Sequence, residues 1–103
     1  MLLRSIAMDL HINILLKSQI DYVTSFEGHV LLNRTGNAGM TVGGSGDVLA
    51  GIVASMMAQG LEGYDAAKVA AYYCGKTGEI LAKQKAYNFL ASDLAKAIPY
   101  ALS

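Results

Sequence analysis

Residues 41–51 read TVGGSGDVLAG. Four glycines and one aspartate, Asp47, fall in those eleven residues, which run into the apolar segment DVLAGIVASMMAQG (47–60). The first N–H groups of a helix lack intrahelical partners, and the helix dipole places roughly half a positive charge there. Glycines ahead of that end let an oxyanion approach the backbone without meeting a Cβ. GGSGD before a helix therefore reads as a phosphate nest. No lysine follows the last glycine, so it is not a Walker A loop. A carboxylate beside phosphate is repulsive. Asp47 fits if it faces an acceptor hydroxyl and takes its proton during attack on a phosphoryl group, or if it acts through Mg²⁺. The competing reading is a plain N-cap, a position Asp favours. The pentapeptide alone leaves both open.

Upstream, Leu2, Leu3, Ile6 and Leu10 recur at helical spacing and predict a short amphipathic helix over 2–10. INILLK (12–17) reads as a buried strand, and DYVTSF (21–26) alternates as a strand does. EGH (27–29) is a turn and VLLN (30–33) the return strand of a hairpin. RTGNAGMTVGGSG (34–46) carries five glycines without periodicity and is a loop. Downstream, a helix is expected from Asp47 to a stop at Gly60, a longer one over 63–86, and a third over 92–102. Ser92 is the expected N-cap of the third, with Pro99 loosening or ending it. Three strands are few for this much apolar helix surface, so the sheet is expected to continue outside the chain.

Composition points the same way. The 103 residues are 53% hydrophobic and 16% charged, more apolar than an ordinary soluble domain. The excess implies surface buried against a missing part of the fold or against further copies. Eight basic residues balance eight acidic ones, which argues against nucleic acid and anionic membranes as partners. No run of eighteen apolar residues predicts a membrane span. Arg4 and Asp9 interrupt the N-terminal apolar stretch, which rejects a signal peptide. The single cysteine, Cys74, fits a reducing, cytoplasmic setting and reads as a buried small hydrophobe.

The longer run NRTGNAGMTVGGSGDVLAGIVASMMAQG (33–60) resembles the signature of the ADP/ATP-dependent NAD(P)H-hydrate dehydratases, the carbohydrate-kinase-like branch of the ribokinase superfamily. Asn33, Thr35, Gly36, Asn37, Gly39, Met40, Gly43, Gly44, Ser45, Gly46, Asp47, Val48, Leu49 and Gly51 carry the match. The strand, lysine and hairpin upstream and the last helix are also similar to the family. The resemblance implies an α/β fold: the C-terminal half of a ribokinase-like three-layer domain, with residues 1–103 as one fragment. It implies dehydration of hydrated NADH or NADPH. ADP or ATP with Mg²⁺ phosphorylates the ring hydroxyl, and phosphate then leaves. Asp47 would be the base and contact the hydrated ring, with Asn37 bordering it. Gly44, Ser45 and Gly46 would offer N–H groups to the phosphoryl group. Lys17, Ser18, Gln19, Ile20 and Asp21 would form the nucleotide segment. The family has glycine where this chain has Ser18, and its domains are more than twice as long.

Two other readings compete. One is a small-molecule kinase of the same superfamily, against which TGNAGM (35–40) argues. The other is an inactive half-domain that oligomerises through apolar surface. His11 and His29 stand alone and read as surface or turn residues, so no protein-held metal is expected. Met56 and Met57 read as core or interface, and of Tyr72 and Tyr73 one is expected packed and the other at an edge.

Overall fold

The computed structural model describes residues 1–36, 43–85 and 89–102. Its elements follow in the order α1 (Leu2–Leu10), β1 (Ile14–Leu16), β2 (Asp21–Thr24), β3 (Val30–Asn33), α2 (Ser45–Ala58), α3 (Gly63–Lys85) and α4 (Ala91–Leu102). The strands form one antiparallel sheet in the order β1-β2-β3. Asp21 pairs with Asn33 and Val23 with Leu31 across β2 and β3. Alternation puts these four on one face, and Asn33 bonds to Ala71 on α3, so that face meets α3.

The α2, α3 and α4 helices close a core around Leu49, Ile52, Ala71, Cys74, Leu81 and Leu94. Ala66, Ala67, Ala70 and Ala71 give α3 a buried face of small side chains that lets its neighbours approach closely. Full burial of Leu94 alone contributes about 1.5–3 kcal/mol. Leu15 of β1 packs against the same cluster.

Local chemistry sets the element ends. At the tip of the β2–β3 hairpin the Ser25 hydroxyl accepts from the Glu27 and His29 N–H groups, and Gly28 takes φ 96°. The expected glycine stop of α2 is present. Gly60, at φ 105°, donates to the Met57 carbonyl and Leu61 donates to that of Met56, the paired bonds of a Schellman close. His11, at φ 56°, ends α1 in the left-handed region and stacks 4.2 Å from the Phe26 ring.

Several expectations need correction. The 12–17 segment is not a buried strand: β1 spans Ile14–Leu16, and Leu16 is 47% exposed. Among the described residues β1 has β2 on one side only. The second helix starts at Ser45 rather than Asp47, because Gly44 occupies the N-cap with φ 91°. Ser92 does not cap α4. The helix starts at Ala91, and Asp93 reaches back to accept the Leu90 N–H at 2.9 Å. Pro99 lies inside α4, which continues to Leu102. Proline removes one helix bond here without ending the helix. The expected split of the tyrosine pair is present, with Tyr72 exposed and Tyr73 partly buried, and Met56 packs on the core while Met57 is half exposed.

Candidate functional site

One end of the sheet gathers the ends of β1 and β3, the turn after β1, and the start of α2. The turn is held by Asp21, whose Oδ1 accepts the Ser18 N–H at 3.1 Å. Its Oδ2 accepts from Asn33 Nδ2, also at 3.1 Å. Asn33 gives its other amide proton to the Ala71 carbonyl at 3.0 Å. The Thr35 hydroxyl lies 3.0 Å from Asn33 Oδ1 and 3.3 Å from the Tyr72 carbonyl. The Gly36 N–H points to Glu79, which also pairs with Lys76 at 3.2 Å. The exit of β3 is thus fastened along α3. It lies so close that a Cβ at Gly75 would overlap Thr35.

Across from the turn, Gly44 opens α2. Its carbonyl accepts the N–H groups of Asp47 and Val48. A Cβ at Gly44 would stand 3.1 Å from Ala91 Cβ, so close packing on α4 adds to the left-handed φ in requiring glycine. Gly46 precedes the first intrahelical bond and lies beside Lys17, whose Cδ would be 3.8 Å from a Cβ built there. Ser45 is buried.

The first turn of α2 has a hollow on each side. One, of about 310 Å³, lies between β1 and α2 and is lined by Leu15, Lys17, Gly46, Leu49, Ala50 and Val53. The other, of about 330 Å³, lies between α2 and α4, with Asp47 at its rim and Ile52, Met56, Ala95 and Ile98 in its walls. The lysine and the carboxylate border different spaces. Cys74 lies within the electrostatic reach of Lys17 and Asp21. Burial pushes its thiol up from 9.0 to about 11, with Lys17 lowering it and Asp21 raising it further. Among the described residues no three His, Cys, Asp or Glu side chains group as metal ligands, and no helix is long and apolar enough to cross a membrane.

The sequence profile of the NAD(P)H-hydrate dehydratase family matches residues 1–100. The chain belongs to that family. It is 43% identical over 97 residues to the bifunctional NAD(P)H-hydrate repair enzyme Nnr of Methanothermobacter thermautotrophicus, covering 93% of this chain and 18% of the relative. It is 38% identical over 86 residues to the ADP-dependent (S)-NAD(P)H-hydrate dehydratase of Haloterrigena turkmenica, covering 84% of this chain and 33% of that one. The fold superposes with TM-score 0.89 and 28% identity on the ADP/ATP-dependent NAD(P)H-hydrate dehydratase of Bacillus subtilis, co-crystallized with ATP/Mg²⁺ and soaked with CoA. That match covers 98% of this chain and 38% of the other. The chain therefore spans a third or less of these two curated relatives. The small antiparallel sheet and its helices are those of the carbohydrate-kinase-like fold.

In this dehydratase-family chain, Lys17, Gly44, Ser45, Gly46 and Asp47 meet at one end of the sheet. Ser18 and Asp21 shape the turn that carries Lys17, with Gln19 exposed and Ile20 partly buried. Asn37 lies outside the described residues. The N-cap alternative for Asp47 is displaced, because Gly44 holds that position. Sequence reasoning missed Gly75 and Glu79. Glycine inside a helical pattern was the available signal for the first. Glu79, three residues after Lys76, gave none.

Proposed function

We propose that this chain supplies the phosphate cradle and the acceptor-side carboxylate of a nucleotide-dependent NAD(P)H-hydrate dehydratase, as one part, 1–103, of a larger carbohydrate-kinase-like domain. The observation that carries the reading is the division of the α2 start into two spaces. Lys17 and Gly46 border one and Asp47 borders the other. A phosphoryl group at the helix end meets backbone N–H, the helix dipole and a lysine. The hollow of about 310 Å³ bordered by Lys17 and Gly46 has room for such a group. ADP or ATP brings Mg²⁺ on its own phosphates and supplies the phosphoryl group for transfer.

The chain's own residues then act on both sides of that group. Lys17 and the Gly44–Gly46 backbone hold the phosphoryl oxygens. Lys17, Ser18, Gln19 and Ile20 border the nucleotide, and Asp21 holds their turn through its two internal hydrogen bonds. Asp47 accepts the proton of the ring hydroxyl of hydrated NADH or NADPH as its oxygen attacks phosphorus. Asn37 borders that ring. Ile52, Met56, Ala95 and Ile98 give the space beside the exposed Asp47 an apolar wall on which the ring can pack. The protein works in the cytoplasm, where Cys74 stays a thiol. It assembles with further copies through apolar surface such as Val30, Leu31 and Leu32, which are 40%, 39% and 41% exposed.

The test is calorimetric titration of the 103-residue chain with ATP and with ADP, each with Mg²⁺. Micromolar binding that survives Asp47→Asn and is lost in Gly46→Val supports the reading. Binding indifferent to Gly46→Val refutes it.

A further inference from the structure

We propose that Asn33 is a positioning residue: its buried carboxamide ties the Lys17–Asp21 turn to the exit of β3 and so fixes Lys17 relative to Gly46. The side chain is 6% exposed at the end of an edge strand whose other residues are each about 40% exposed. An apolar residue would fill that site against α3 without any demand for partners. An amide there is satisfied only if both N–H groups and the carbonyl find partners, and all three do. One N–H goes to Asp21 Oδ2 and the other to the Ala71 carbonyl. The carbonyl accepts from Thr35.

Each bond leads to a different piece. Asp21 passes the link to the Ser18 N–H with its second oxygen, next to Lys17. Ala71 is a buried core residue of α3. Thr35 is the residue packed against Gly75. One amide therefore joins the turn, the strand exit and the longest helix. A buried network with every member satisfied specifies geometry more sharply than apolar packing does. Asp21 thereby acts inside the chain: both of its oxygens are engaged in holding the turn. The proposal rests on the reading above, that Lys17 and Gly46 serve one phosphate-bearing ligand.

The test compares wild type, Asn33→Ala and the exchanged pair Asp21→Asn/Asn33→Asp in the 103-residue chain. Three quantities are read: hydrogen exchange at the Ser18 amide, Tm, and affinity for ATP with Mg²⁺. Exchange at α3 core amides reports whether each variant is folded. In Asn33→Ala, Ser18 exchange rises and ATP affinity falls, each by roughly fivefold to tenfold, the value of one hydrogen bond. The exchanged pair restores the link between positions 21 and 33 but cannot donate to the Ala71 carbonyl. Its Tm therefore stays low while Ser18 protection and ATP affinity return. A purely structural role predicts instead that affinity follows Tm in both variants, and that result overturns the proposal. So does unchanged Ser18 exchange or unchanged ATP affinity in folded Asn33→Ala. If the wild-type chain does not bind ATP, the proposed function fails, and Ser18 exchange alone decides the Asn33 link.

Discussion

Replacing Gly75 by alanine sets two effects of known size against each other. Gly75 lies within the 23-residue α3, where glycine costs about 1 kcal/mol relative to alanine. Propensity alone makes Gly75→Ala stabilising. The packing reverses that expectation. The new Cβ would overlap Thr35 Oγ1 and stand 2.6 Å from Thr35 Cβ and 2.7 Å from the Thr35 carbonyl carbon. Atoms in ordinary contact sit about 3.5–4.0 Å apart, so the strand exit must retreat by more than about 1 Å. Overpacking of this kind costs about 1–3 kcal/mol. The retreat also stretches the Gly36–Glu79 bond, now 3.4 Å, and a bond this long carries at most about 1 kcal/mol. After the propensity gain the net loss runs up to about 3 kcal/mol. Urea denaturation measures it as a lower midpoint at unchanged slope. Gly51→Ala is the control, since nothing lies within 4 Å of the added Cβ on α2, and it should gain up to about 1 kcal/mol. If Gly75→Ala gains as much as Gly51→Ala, the β3 exit is not packed on α3 as described and the argument fails.

Gly46→Ala should leave the urea midpoint unchanged or slightly raised, because its Cβ meets only Lys17 Cδ at 3.8 Å. ATP affinity should fall by roughly tenfold or more as the anion loses its approach to the backbone; calorimetry showing full affinity contradicts the cradle. Asp93→Ala leaves the Leu90 N–H without its acceptor and should lower stability by about 0.5–2 kcal/mol, while Ser92→Ala should change it little. The raised thiol of Cys74 makes stability depend on alkaline pH. The folded state holds the proton more tightly than the unfolded one, so the contribution is complete below pH 9.0 and is lost as pH rises through about 11. Denaturation midpoints should fall across that window by an amount on the order of 2 kcal/mol, and Cys74→Ala should flatten the profile; equal slopes in both proteins refute the assignment.

Elements whose limits are set by local chemistry were legible in the sequence. The α2 stop follows from Gly60 and the hairpin from EGH between two apolar runs. The glycine-led start of α2 was legible because glycines and a helical pattern occur side by side. Contacts between distant segments were not. Nothing near Gly75 names Thr35, forty residues earlier, as its neighbour. The exposure of β1 depends on which strands flank it, and a six-residue apolar run carries no sign of that. Asp21 read as a nucleotide residue because it stands in the nucleotide segment, while its two internal bonds depend on strand register. The α4 start was misplaced for a related reason. Serine is the favoured cap in isolation, yet Asp93 supplies the bond from inside the helix.

The two hollows flanking the first turn of α2 also bear on how such a site can diverge. Ala95 and Ile98, on α4, line the space that Asp47 borders and take no part in the one bordered by Lys17. Changes at Ala95 or Ile98 therefore reshape the space beside Asp47 while the one beside Lys17 keeps its form. The reverse separation is weaker, because Gly44 is pressed against Ala91 at the head of the same helix. Enlarging that one alanine would press on Gly44 and shift the start of α2, so natural variation on α4 should be narrow at its first residue.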